Sequence, residues 1–273
     1  MNERKEGNVH KKERLDTVLA EKGFFSSREK AKAAIMAGIV SVDGNRVDKP
    51  GTPVKSEAEF SIKEDICPYV SRGGLKLEKA IKEFALDLKG AVCMDIGAST
   101  GGFTDCMLQN GASTVYAVDV GYGQLDWTLR NDNRVVIMEK VNIRHLDTEA
   151  LDTTFDFISI DVSFISLKLV LPIATKLLKE TGQLVCLVKP QFEAGRSQVG
   201  KNGIVKDKDV HKEVVLNVIE YGKSNGMYPH ELLYSPVTGA KGNIEYLILF
   251  KKTCGDIENN RIDLIINNSH LEL

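Results

Sequence analysis

Asp95-Ile96-Gly97-Ala98-Ser99-Thr100-Gly101-Gly102-Phe103-Thr104 closes the apolar run Val92 to Ile96 and leads into a helical pattern near 102 to 110. A strand that ends in a glycine-rich turn and gives way to a helix is the opening unit of a parallel α/β sheet. Such a sheet places its ligand at the carboxyl ends of the strands. Glycines at that turn let the backbone approach a ligand closely. The spacing differs from the G-x-G-x-x-G of a dinucleotide fold, because Ser99 stands where the second glycine would be.

Outward from this turn, strand-like runs alternate with helical ones. The strands are expected at Thr114 to Val120, Val135 to Met138, Phe155 to Asp161, Gln183 to Lys189 and Ile244 to Phe250, with helices near 124 to 131, 166 to 179 and 207 to 225. The alternation implies an open, mainly parallel sheet covered on both faces. Asp95, ahead of the first glycine, suits the cationic amino end of a sulfonium methyl donor and would repel a pyrophosphate, which favours S-adenosylmethionine over NAD. Gly97, Ala98, Ser99, Gly101, Gly102 and Phe103 would form the cofactor loop with it. Asp119, 22 residues after Gly97, ends the second strand where a carboxylate accepts ribose hydroxyls. Asn142, after the third strand, stands where an adenine or ribose contact is expected, and a turn role is the alternative.

Composition narrows the class. With 273 residues and 42% hydrophobic content, the chain can bury one large domain plus a small one. Its longest apolar runs, such as Leu184 to Val188, fall well short of the ~20 residues of a membrane helix. Met1 to Lys12 lacks the apolar centre of a secretory signal, so a cytoplasmic location is expected. The five cysteines are scattered without a C-x-x-C pair and the five histidines lack metal-ligand spacing, so reduced thiols and no metal are expected. Net charge is −2, yet cations cluster locally, as at Arg72 to Lys82 and Arg196 to Lys208.

Residues 13 to 63 read as a small unit of two helices and a hairpin. Leu15, Val18 and Leu19 recur at helical spacing and Gly23 stops the helix. Ser26 or Ser27 can cap a second helix with Ala31, Ala34 and Ile35 as its stripe, and Asp43-Gly44 signals a tight turn. The string Arg14-Leu15-Asp16, Gly23, Ser27-Arg28, Ala31, Ile35, Gly38, Val40, Val42-Asp43-Gly44 and Val47 resembles the alpha-L RNA-binding domain of a ribosomal small-subunit protein, pseudouridine synthases and tyrosyl-tRNA synthetases. That resemblance implies phosphate contacts from Arg28, Lys30 and Lys32, with Arg14 a further candidate. Asp65 to Val70, containing Pro68, reads as a hinge.

Two strand ends carry charge towards the cofactor edge: Asp161 and Lys189. Moving a methyl group onto oxygen is an in-line displacement that needs a positioned, deprotonated nucleophile, and a buried lysine with lowered pKa is a suitable base. The fourth strand is not followed by Asn-Pro-Pro-Tyr, which argues against methylation of a base amino group. With Lys76 in the first turn of a helix starting at Gly73-Gly74, and with Glu245, these residues resemble the lysine-aspartate-lysine-glutamate tetrad of FtsJ-type ribose 2′-O-methyltransferases. Together with Val70 to Leu77, Asp119 to Leu125 and Lys189 to Glu193, the whole chain resembles the TlyA (hemolysin A) family of ribosomal RNA cytidine 2′-O-methyltransferases.

The resemblance implies an α/β, Rossmann-like class I methyltransferase sheet behind a small α+β RNA-binding domain. The expected boundaries are 13–64 for RNA binding, 65–71 for the linker, 72–253 for catalysis and 254–273 for a polar tail. It implies Lys189 as base, Asp161 and Glu245 orienting the lysines, and Lys76 holding the hydroxyl or phosphate. Asp161 also joins the cofactor set. Arg72 and Arg196 are further RNA candidates, and the glycine-bearing loop from Glu193 to Asp207 is expected to act as a flexible basic lip. The partner is ribosomal RNA in ribosomal subunits, the chain is expected to be monomeric, and the alternatives are a membrane-active hemolysin or a non-catalytic assembly factor.

Overall fold

The computed structural model describes residues 12–25, 27–36, 38–62 and 67–273. Chain contacts divide it into two units, 1–66 and 67–273. Asp65 and Ile66 of the expected hinge, and Ser26, lie outside the described residues.

In the smaller unit, β1 (Lys12–Arg14) leads to α1 (Leu15–Glu21) and α2 (Arg28–Met36), followed by β2 (Val40–Val42), β3 (Asn45–Arg46), β4 (Pro53–Lys55) and β5 (Phe60–Ile62). Ser27 caps α2, its Oγ accepting from the Lys30 amide at 3.2 Å. Leu15, Leu19, Ala31, Ile35 and Val40 are fully buried and form the core of this unit. β2 pairs with both β3 and β5, so Asp43-Gly44 does close a hairpin, with Asp43 (φ 50°) and Gly44 (φ 77°) both left-handed.

The larger unit runs α3 (Gly73–Glu83), β6 (Val92–Ile96), α4 (Gly102–Gln109), β7 (Thr114–Asp119), α5 (Trp127–Arg130), β8 (Val135–Glu139), β9 (Phe155–Ile160), α6 (Leu171–Leu177), β10 (Leu178–Val188), α7 (Pro190–Glu193), α8 (Lys208–Lys223), β11 (Tyr228–Tyr234), β12 (Tyr246–Lys251) and α9 (Asn259–Glu272). Its seven strands form one sheet in the order β11-β12-β10-β9-β6-β7-β8, with β12 antiparallel to both its neighbours. Alternation along the strands splits the core in two. Cys93, Phe157, Val185, Leu187 and Leu247 face α3 and α4, while Met94, Ile158, Cys186 and Ile248 face α6, α8 and α9.

Three elements differ from expectation. On α3, whose spacing predicts an apolar face of Leu75, Ala80, Ile81 and Phe84, Leu77 is fully buried beside Ala80 and Ile81, whereas Leu75 is only half-buried. Strand β11 escapes the sequence pattern because Pro229, His230 and Glu231 interrupt its alternation, which an edge strand tolerates. The expected polar tail contains α9, whose Ile262, Ile265 and Ile266 form a stripe at helical spacing buried in the core. Lys212 of α8 pairs with Asp263 of α9 at 2.6 Å across that contact.

Candidate active site

All four charged tetrad positions reach the same side of the sheet. Asp161 continues the Phe157-Ser159 register, Lys189 the Val185-Leu187 register, and Glu245 the register of Leu247 and Leu249, all facing α3 and α4. Lys76 hangs from the first turn of α3 above this face. Its Nζ lies 2.5 Å from Glu245 Oε2. Lys189 Nζ lies 2.5 Å from Asp161 Oδ1 and donates to Ser163 Oγ at 3.0 Å. The structure thus joins the tetrad as two lysine–carboxylate pairs.

Glu245 is 2% exposed and sits against Gly239, where a Cβ would come within 2 Å of its carboxylate, at 1.9 Å. Asp161 Oδ1 is also buried and meets Lys189 as an ion pair without the alignment of a hydrogen bond. Gln191 Oε1 is a second buried acceptor without a partner, close by in sequence to Lys189.

Two clefts meet here. The larger, about 390 Å³, is lined by Gly97, Ser99, Asp119, Asn142, Asp161 and Phe164, among others. The smaller, about 250 Å³, is lined by Ser71, Lys76, Gly102, Phe103, Ser163 and Lys189. Gly97, Ser99, Asp161 and Ser163 belong to both walls. Gly97 is required as glycine: its φ is 90°, and a Cβ would lie 2.3 Å from the Asp161 carbonyl oxygen.

The expected cofactor residues separate by position. Gly97, Ser99, Asp119, Asn142 and Asp161 line the larger cleft, whereas Ala98, Gly102 and Phe103 line only the smaller. Asp119 also holds the loops together, accepting from the Ser99 amide at 2.8 Å and the Gly121 amide at 2.6 Å. Asn142 takes the turn role as well, accepting from the Arg144 amide at 3.2 Å while remaining in the wall. Gly101 lines neither cleft, its left-handed turn facing Leu125 and Leu129.

Asp95 lines neither cleft and does not offer its carboxylate to a ligand there. Register pairs it with Ser159 on the face under α4. Its oxygens accept from Thr104 Oγ1 at 2.7 Å and Ser159 Oγ at 3.1 Å. Burial pushes this carboxyl up to about 7, the two hydroxyls only partly opposing the shift. Asp95 therefore braces the start of α4 beneath the glycine turn.

The expected RNA residues also divide. Arg14 and Arg28 both reach the buried Asp16, at 2.9 and 3.1 Å, and Arg14 above all holds that carboxyl down to about 2. Their guanidinium groups are partly committed to that ion pair while staying about half exposed, 53% each. Lys30, Lys32, Arg72 and Arg196 are exposed.

The lip from Glu193 to Asp207 is anchored at both ends. Glu193, pushed up by burial, accepts from Ser166 Oγ at 2.6 Å and the Leu167 amide at 2.8 Å. Asn243 accepts from the Val205 amide at 3.2 Å and donates to the Gly203 carbonyl at 2.9 Å. Ser163, Phe164 and Phe192 were not among the expected site residues. Phe164 is 90% exposed at a strained φ of 63°, with its ring 5.0 Å from that of Phe192. Its signal was adjacency to Asp161, which sequence alone does not distinguish from loop filler.

Among the described residues, no helix is long and apolar enough to cross a membrane, and no cluster of His, Cys, Asp and Glu could hold a metal ion.

Residues 69–252 match the FtsJ-like methyltransferase family and residues 13–60 match the S4 domain. A Bacillus subtilis protein provisionally named the rRNA methyltransferase YqxC is 53% identical over 239 residues, 87% of this chain and 85% of that protein. The 16S/23S rRNA (cytidine-2′-O)-methyltransferase TlyA of Mycobacterium tuberculosis is 42% identical over 236 residues, 86% of this chain and 88% of that one. A solved structure from Streptococcus thermophilus, provisionally named a hemolysin, superposes with a TM-score of 0.77 at 46% identity, covering 97% of this chain and 98% of that one.

Proposed function

Because the chain belongs to the FtsJ-like methyltransferase family, in its TlyA (hemolysin A) branch with an S4 domain in front, we propose that it methylates the ribose 2′-hydroxyl of cytidine in ribosomal RNA within ribosomal subunits. S-adenosylmethionine supplies the electrophilic methyl group. The observation that carries this reading is the wall shared by two clefts, with Asp161 in it and a lysine from each pair at its rim.

The larger cleft fits the donor. Its volume falls in the roughly 300–1,000 Å³ range of small-molecule sites, Gly97 keeps its floor free of side chain, and Asp119 retains acceptor capacity for ribose hydroxyls. Asp161, its side chain 21% exposed in the shared wall, accepts from whatever donor group enters beside it. The acceptor nucleotide occupies the smaller cleft. Lys189, in its neutral amine form, takes the proton from the 2′-hydroxyl and becomes the ammonium that Asp161 and Ser163 hold, while Lys76, fixed by Glu245, holds the hydroxyl oxygen or the adjacent phosphate. Residues 13–64 and 65–71 serve as RNA-binding part and linker to the catalytic part, 72–253. Lys30, Lys32, Arg72 and Arg196 contact phosphates, with Arg14 and Arg28 contributing through their exposed faces. The chain acts as a cytoplasmic monomer on small-subunit RNA, large-subunit RNA or both.

The test is transfer of labelled methyl to purified small and large ribosomal subunits, followed by nucleotide-resolution mapping of ribose methylation. Incorporation at a cytidine 2′-oxygen is expected. Confirmed binding of S-adenosylmethionine with no incorporation into either subunit would overturn the enzymatic reading in favour of an RNA-binding assembly factor.

A further inference from the structure

On the opposite face of the sheet from the tetrad lies a buried polar cluster with no part in the chemistry above. His211 of α8, Tyr246 of β12 and Ser269 of α9 are each 0% exposed. His211 Nε2 is 2.9 Å from the Val205 carbonyl oxygen, which can only accept, so that nitrogen carries the proton and donates. Burial holds the imidazole below its usual range, which keeps it neutral and leaves Nδ1 as an acceptor. The Tyr246 hydroxyl donates to Nδ1 at 2.7 Å. Ser269 Oγ lies 3.0 Å from the same hydroxyl and 2.8 Å from the Ile266 carbonyl oxygen, so its one proton is shared between those two acceptors. His270 Nε2 stands 3.3 Å from His211 Nδ1.

What this cluster touches gives it meaning. Val205 ends the basic lip, and both sides of its backbone are held: the carbonyl by His211 and the amide by Asn243, two residues before Glu245. Tyr246 directly follows Glu245, and strand alternation sends the two side chains to opposite faces. One backbone step therefore separates the carboxylate that fixes Lys76 from the hydroxyl that meets His211. Buried polar groups add little net stability over apolar packing but penalise any arrangement that leaves one unpaired, so they specify geometry.

We propose that His211 is a positioning residue, clamping the end of the basic lip at Val205 to the strand end that carries Glu245, with α9 bracing Tyr246 from behind through Ser269. The consequence for RNA binding rests on the methyltransferase reading; the clamp itself does not. The lip presents Arg196 and Lys201, both exposed, and a loosened Val205 removes the hold on the far end of that segment.

Hydrogen–deuterium exchange on the full chain tests the clamp directly. In His211→Ala, exchange across residues 203–205 is expected to rise about tenfold, the scale of one lost hydrogen bond, while peptides from β6 and β7 keep their protection. His211→Gln retains a donor for the Val205 carbonyl and should restore most of the protection, with Tyr246→Phe in between. In methyl transfer, His211→Ala should raise the KM for ribosomal RNA about tenfold while the Kd for S-adenosylmethionine changes less than twofold. Unchanged exchange at 203–205, or a rise spread evenly over the sheet, would overturn the proposal. A wild-type chain that protects 203–205 and transfers no methyl would sink the proposed function and still support the clamp.

Discussion

Lys76–Glu245 and Lys189–Asp161 are the same chemical pair built twice on one face of the sheet, with equally exposed lysine side chains, 11% each, and unequal carboxylates. Glu245 is enclosed, its side chain 2% exposed against the Gly239 backbone, whereas Asp161 is 21% exposed in the wall between the clefts. The enclosed carboxylate can serve only its lysine. The one in the wall can serve both its lysine and a group in the clefts, in keeping with the base role proposed for Lys189 and the holding role proposed for Lys76.

The largest effect that tests this difference is on turnover. Lys189→Ala should lower the rate of methyl transfer by about 10³-fold, the midrange for loss of a general base, with an unchanged unfolding midpoint; a loss below tenfold would remove Lys189 from that role. Stability should show the reverse bias. Glu245→Ala leaves the Lys76 ammonium buried without a partner and should cost roughly 3–5 kcal/mol in denaturant unfolding. Asp161→Ala, at a carboxylate 21% exposed and with Ser163 still accepting from Lys189, should cost less, about 1–3 kcal/mol. Equal losses would erase the distinction between the pairs.

Asp95 extends the comparison to a buried carboxyl that hydrogen-bonds two hydroxyls in place of a lysine. Its native pKa of about 7 lies above the unfolded value, so the native state binds more protons between about pH 4 and 7. Stability should fall as pH rises through that window, by at most about 4 kcal/mol, and Asp95→Asn should flatten the slope measured by urea unfolding. The smallest effect belongs to Asp16, a buried carboxylate with two arginines. Its pKa, lowered to about 2, gives stability that is present above about pH 4 and lost as pH falls towards 2, about 2 kcal/mol in all. Asp16→Asn should remove that acid sensitivity, read as the acid unfolding midpoint.

Much of the site was legible because strand parity and glycine turns are local. Asp161, Lys189 and Glu245 each fall at the end of an apolar run whose alternation dictates the face they reach, and Gly97 marks a left-handed turn that lines both clefts. Asp95 was misread for a nonlocal reason: only the β6–β9 register puts Ser159 beside it and α4 above it. The arginines of the small unit were legible as cations but not as partners of Asp16, since Arg28 lies 12 residues away and meets it only when α1 and α2 pack. Helix α9 was overlooked because its isoleucine stripe is embedded in asparagines, and only burial against α8 and β11 makes the stripe count.

The sequence by itself determined the α/β alternation, the glycine turn, the small RNA-binding unit and the charged strand ends, because each depends on periodicity or on residues within a few positions of one another. Tertiary structure alone decided which charges pair, which carboxylate is enclosed and which lines the clefts, and how α9 reaches Val205 through Ser269, Tyr246 and His211. Those outcomes depend on sheet order and on how helices pack across it, which bring together residues as far apart as Lys76 and Glu245, 169 positions distant.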